Sequence, residues 1–204
     1  MEKMKPSEIE KRSFEIIGEI LGDRKFDPRY EPIIKRCIHT SADFEYADSL
    51  NFTDGVVEKI HNAIKEGATI VTDTKMAQSG INKIIIEKHG GEVVCFIGDE
   101  DVACEAKQRG VTRSCVSMEK ASKLRENLIF AVGNAPTALL SIVSLVREKK
   151  LDPVAVIGVP VGFVNVVESK ELLIESGIPS IVARGRKGGS NIAACIVNAI
   201  QYMP

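Results

Sequence analysis

Short apolar runs alternate with amphipathic stretches along most of this chain. Ala68–Val71, Glu92–Ile97, Leu128–Val132, Val154–Ile157 and Ser180–Ala183 are mostly apolar, rich in Val and Ile, and read as buried strands. Helical spacing recurs between them. Val57, Ile60 and Ile64 mark one face of a helix over Val56–Lys65, with Gly67 as its stop. Further helices are predicted over Asp99–Gln108, Thr137–Arg147 and Asn191–Ile200. Ahead of the alternation, Ile9, Phe14, Ile16, Ile17, Ile20 and Leu21 space like a helix opened by the capping box Ser7-x-x-Glu10 and stopped by Gly22. Glu31–Cys37 suggests a second, shorter helix. Buried strands alternating with helices predict an α/β fold: a single three-layer domain over residues 1–204, with a mostly parallel sheet and helices on both faces.

Composition narrows the partners. The 204 residues suit one domain, and 27 Lys+Arg against 28 Asp+Glu leave a net charge of -1. That balance gives no general attraction for nucleic acid or an anionic membrane. No apolar run approaches the ~18 residues of a membrane span. Met1 to Lys5 leads into a charged helical pattern, not a signal-peptide core, so a cytoplasmic location is expected. The five cysteines form no C-x-x-C, and His39, His61 and His89 lack metal-ligand spacing. Neither a disulfide framework nor a metal held by protein ligands is expected.

In open parallel sheets, ligands bind beyond the carboxyl ends of the strands. The loops predicted there, Thr72–Gly80, Gly133–Thr137, Gly158–Phe163 and Arg184–Asn191, carry more glycine, proline and polar residues than a plain turn needs. The last sets Arg184, Arg186 and Lys187 among glycines just before a helix, an arrangement suited to carboxylate or phosphate. It matches neither G-x-x-x-x-G-K-[ST] nor G-x-G-x-x-G, so no nucleotide motif supports it. His39 lies in a polar cluster with Thr40, Ser41 and Asp43, and imidazole suits proton transfer near neutral pH. A lone histidine is more often structural or exposed, so the pattern alone leaves its role open. A Cys–His nucleophile pair of Cys37 and His39 is not expected. Ser41 and Ser190 lack the G-x-S-x-G elbow of a hydrolase.

Taken together, several blocks resemble the precorrin-8X methylmutase family. They are Arg12–Phe14, Ile38–Phe44, Val132–Leu139, Gly158–Val164 with Glu168-Ser169-Lys170, and Arg184–Ser190, in order and spacing from about Glu10 to Ile200. The resemblance implies a late step in building the corrin ring of vitamin B12. A methyl group moves between adjacent carbons of pyrrole ring C, with no cofactor. It further implies a homodimer with a pocket to which both subunits contribute; helix Pro6–Leu21 and the His39 segment are the candidate interface elements. The family's catalytic histidine falls on His39, a pocket arginine on Arg113 and a serine on Ser13. Thr40, Asn134, Arg184, Arg186, Lys187, Gly188 and Gly189 complete the candidate substrate-binding set. The His39–Phe44 run is closer to the members whose substrate carries cobalt, the metal then belonging to the substrate. A corrinoid carrier that passes intermediates between enzymes without turnover is the alternative.

Overall fold

A computed structural model describes residues 5–124 and 127–203. Helices α1 (Pro6–Leu21), α2 (Glu31–Ser41) and α3 (Tyr46–Ser49) precede strand β1 (Leu50–Phe52) and α4 (Val56–Lys65). Strand β2 (Thr69–Thr72) leads through α5 (Lys75–Gly80) and α6 (Lys83–Lys88) to β3 (Glu92–Val94). Helices α7 (Glu100–Arg109) and α8 (Arg113–Ala121) lead on to β4 (Leu128–Val132) and α9 (Pro136–Arg147). The chain ends with β5 (Ala155–Gly158), α10 (Val166–Glu175), β6 (Ser180–Ala183) and α11 (Ser190–Gln201).

The strands form one six-stranded sheet in the order β1-β6-β5-β4-β2-β3. All neighbours pair in parallel except β1, which runs antiparallel to β6 with Asn51 opposite Val182. The order reverses between β2 and β4: β3 lies on one side of β2, and β4, β5 and β6 follow on the other. This is the place where a doubly wound sheet opens a crevice at its carboxyl end. Alternation along each strand divides the core in two. Ile70, Ile129, Ala131, Ile157 and Ile181 pack with α1, α2, α4 and α11 on one face. Val71, Phe130, Val132, Val156 and Val182 pack with α8, α9 and α10 on the other. Both faces being covered, every residue of β4, β5 and β6 is buried, which is why these strands read as continuous apolar runs.

Three of the predicted elements differ in extent or capping from the sequence reading. Glu92–Ile97 is a strand only to Val94: the Cys95 carbonyl accepts from Lys75 Nζ at 2.8 Å, and the Phe96 carbonyl from the Asp99 N–H at 3.0 Å, opening the turn into α7. Helix α2 runs on through His39 to Ser41, so Cys37 and His39 are helical neighbours. Two positions are about 200° apart around a helix, so Cys37 is buried and His39 exposed, whereas a strand would have put both on one face. The capping contact of α1 is made by Glu8, whose carboxylate accepts the Lys5 N–H at 2.8 Å, while Glu10 pairs with Arg36 at 2.6 Å. The Ser7 side chain lies outside the described residues. Among the described residues, no helix is long and apolar enough to cross a membrane.

Candidate active site

At the switch point, the carboxyl ends of β2 and β4 are tied by one side chain. Asp73, buried just beyond β2, accepts three backbone N–H groups: Gly133 at 2.9 Å, Asn134 at 2.8 Å and Ala135 at 2.7 Å. Those donors belong to the turn that opens α9, whose first N–H groups have no partner within the helix. Burial pushes the Asp73 carboxyl above the usual carboxylate range, and the three N–H donors pull against that shift. Beside it, Gly133 touches the start of α11: a Cβ there would lie 2.6 Å from Ser190 Cα and 2.7 Å from Gly189 O. Thr74 Oγ1 and Ser190 Oγ meet at 2.7 Å, so three loops converge here.

The last of these loops is fixed from beneath along Arg184–Gly189. Lys170 of α10 is wholly buried, and its Nζ donates to the carbonyls of Gly185 and Lys187, each at 2.8 Å. Burial lowers this amine from its ordinary 10.5 to about 8, so it stays mainly cationic at neutral pH. The Gly189 N–H donates to Val159 O at 2.9 Å and the Gly162 N–H to Arg186 O at 3.1 Å, joining this loop to the one after β5. Gly188 presses on that loop so closely that a Cβ would lie 2.1 Å from Val159 O.

His39 stands on the last turn of α2, exposed, with its ring stacked on Phe14 of α1 at 5.0 Å between centroids and 12° between planes. The Arg36 guanidinium lies 4.7 Å from the Phe14 centroid and is held by Glu10. Thr40 Oγ1 donates to Cys195 Sγ at 3.1 Å, and a hydrogen bond from Cys37 holds the Cys195 thiol below its usual range. A cavity of about 780 Å³ opens alongside, lined by Phe14, Arg36, Lys35, Thr40, Cys195 and Tyr202 among others. Lys187 reaches from the glycine loop to the segment just after His39, pairing with Asp43 and Glu45 at 2.6 Å each. The contact lowers Asp43 and raises Lys187 from their ordinary values.

The candidate residues divide between the two faces of the sheet and the loops at its carboxyl end. His39, Thr40 and Ser13 lie on the α1–α2 side, where Ser13 Oγ donates back to Ile9 O at 2.9 Å. Arg113 is the exposed first residue of α8 on the opposite side, beside Thr112, whose hydroxyl donates to Thr137 of α9 at 2.9 Å. Asn134 is exposed at the tip of the β4–α9 loop. Arg184 is exposed and pairs with Glu171 at 3.1 Å, whereas Arg186 and Arg113 have no ion-pair partner among the described residues. Of the whole set, only Thr40 lines the cavity beside His39.

The model of the precorrin-8X methylmutase family matches residues 8–203 of this chain. The chain belongs to that family. Among curated precorrin-8X methylmutase relatives, the cobalt-precorrin-8 methylmutase of Priestia megaterium is 46% identical over 98% of this chain and 89% of its own length. That of Salmonella typhimurium is 44% identical over 97% and 95%. The solved precorrin-8X methylmutase of Thermus thermophilus superposes with a TM-score of 0.87 at 39% identity, over 95% of this chain and 94% of that one.

Two site residues in this methylmutase fold went unassigned in the sequence reading, Asp73 and Lys170. Each has a signal in the chain. Asp73 directly follows a β-branched run, where an uncompensated charge is costly. Lys170 shares the buried stripe of α10 with Val166, Ser169 and Leu173.

Proposed function

We propose that the protein is an isomerase of cobalamin biosynthesis, moving a methyl group between adjacent carbons of ring C of cobalt-precorrin-8, with His39 as proton donor. Family membership carries the reaction class, and the names of the two curated relatives support the cobalt-containing substrate. What supports the site is the exposed, ring-stacked His39 beside a carboxyl end that is both cationic and apolar. The substrate is a large flat ring fringed with carboxylates. It needs apolar surface for its faces and cations or N–H groups at its rim. Met76 stands exposed on α5 and Val161, Phe163 and Val164 on the loop after β5, Phe163 by 86%, and Arg113, Arg184 and Arg186 are exposed as well.

The rearrangement breaks one carbon–methyl bond and forms another on the neighbouring carbon. It leaves the composition of the ring unchanged and needs no hydride and no nucleophile. A proton lent by His39 to ring C or its nitrogen draws electrons from the migrating centre, and one proton leaves the ring when the product relaxes. Phe14 and the hydrogen-bonded end of α2 hold the imidazole in place. Incubation with cobalt-precorrin-8 tests the reading: a shift to the cobyrinate spectrum supports it. Tight binding with an unshifted spectrum would make the protein a carrier instead.

The rim cations give a graded test. Arg113→Ala and Arg186→Ala are each expected to weaken corrinoid binding by ~1.5–3 kcal/mol, the range for a hydrogen bond to a charged group. Titration by absorbance at low and raised salt measures this, with the exposed rim losing more affinity as salt rises. Unchanged affinity in both variants would remove them from the site.

We also propose a homodimer. Ile9, Ile16 and Ile20 form an exposed stripe along α1, Ile20 by 60%, next to the helix that bears His39. Light scattering is expected to give twice the 22.2 kDa chain mass. A fully active particle of single-chain mass would refute the assembly.

A further inference from the structure

We propose that Lys170 is the positioning residue of the loop Gly185–Gly189, pinning its backbone from inside the protein so that Arg186 and the loop's N–H groups meet the substrate's carboxylates. The inference rests on the reading above that this loop takes the acid side chains of a corrinoid. Lys170 lies in the middle of α10, on the stripe it shares with Val166 and Leu173, and is wholly buried. An ammonium there loses its water, and an apolar side chain of the same length would fill the space without that loss. The charge has no carboxylate partner within ion-pair distance among the described residues. Its recorded bonds go to two carbonyls, Gly185 and Lys187, on either side of Arg186.

The consequence for the loop is geometric. With those carbonyls drawn inward, the backbone N–H groups of Arg186, Lys187 and Gly188 have no protein acceptor among the described residues. The Arg186 guanidinium is likewise exposed and without an ion pair among them. Donors of this kind, close together and without acceptors, suit a carboxylate. A segment containing Gly185, Gly188 and Gly189 would otherwise sample many backbone conformations and lose that freedom on binding. Lys170 removes the freedom beforehand. It also reaches His39 indirectly: the carbonyl it holds on Lys187 fixes the stem of the side chain that pairs with Asp43 and Glu45, directly after α2.

Lys170→Met tests the assignment, since it keeps the length of the stem and removes the donors. The expected result is a folded protein whose KM for cobalt-precorrin-8 rises about tenfold to hundredfold while kcat falls less than about threefold, the mark of lost substrate positioning rather than lost chemistry. Trypsin cleavage after Arg184, Arg186 or Lys187, followed by mass spectrometry, should speed up about tenfold or more as the loop opens. Unchanged KM with unchanged cleavage would overturn the assignment, and so would a loss confined to kcat. If the variant does not fold, the unsubstituted protein still decides. Its loop, although exposed and rich in tryptic sites, should resist trypsin without any ligand, and cleavage there as fast as in an unstructured peptide would overturn the proposal. The proteolytic readout needs no turnover. It therefore stands apart from the functional reading, which fails only if the unsubstituted protein leaves cobalt-precorrin-8 unconverted.

Discussion

Replacing His39 by alanine is expected to cut turnover ~10²- to 10⁴-fold, the usual contribution of a positioned general acid, while the corrinoid still binds. The imidazole is exposed and its ring contact is with Phe14, so its loss opens no cavity in the core. The stack is worth about 0.5–1.5 kcal/mol at most, and the fold should survive. Binding should persist because rim cations and the apolar loop residues belong to other elements. His39→Asn separates acid from anchor: it retains a hydrogen-bond donor but has no proton to exchange near neutral pH. Both variants should bind the substrate and leave its spectrum unrearranged in a single-turnover assay. Native-rate turnover by the Asn variant would reduce His39 to an orienting ligand. Loss of binding in the Ala variant would make the residue a determinant of affinity instead.

How legible the chain was depends on how far each element is decided locally. Helix α4 and strands β4 and β6 read to the residue, because β4 and β6 are buried on both faces and α4 carries a regular apolar stripe between a positive-φ glycine at each end. Strand β1 was invisible: Leu50-Asn51-Phe52 is three half-buried residues that exist as a strand only because β6 offers an edge. The extension of α2 to Ser41 was hidden for a similar reason. His39-Thr40-Ser41 are polar and form its solvent-facing end, where apolar periodicity carries no information.

The loops after β4, β5 and β6 were legible as loops from their glycines, prolines and cations, whereas Lys75–Gly80, read as part of a loop, folds as α5. The loops' partners were not legible. Lys187 reads as a cation for the substrate, yet its ammonium is held by Asp43 and Glu45, and the Thr40 hydroxyl is directed to Cys195. Such pairings join residues 144 and 155 positions apart in the case of Asp43–Lys187 and Thr40–Cys195. Spacing along the chain encodes what one element can do alone, whereas these contacts are fixed by how the elements stack. The same holds for the two layers of the site. His39 and Arg113 come from helices on opposite faces of the sheet, whose carboxyl end carries the glycine-rich loops. A ring-sized substrate that spans this end is what would make both layers necessary.

The largest stability effect is expected at Asp73. Its carboxylate is the only acceptor recorded among the described residues for the N–H groups of Gly133, Asn134 and Ala135, and it is itself buried. Asp73→Ala removes the acceptor and leaves donors stranded in a site too crowded for free solvation, where Gly133 already abuts the backbone of Ser190. A buried donor without a partner costs ~1–3 kcal/mol, and with partial relaxation of the loop the sum should come to about 3–5 kcal/mol. For a chain of this size each kcal/mol moves the midpoint by roughly 2–4 °C, so thermal unfolding should shift down by ~6–20 °C. Asp73→Asn should fall between Ala and the native residue: its one oxygen can still accept, while its NH2 meets an N–H head-on. The damage should also reach function, because the same three bonds hold the β4–α9 loop against the start of α11, at the end of the glycine loop. A melting temperature within about 2 °C of native for Asp73→Ala would show that water or a backbone shift satisfies the turn, and that Asp73 does not tie the switch point together.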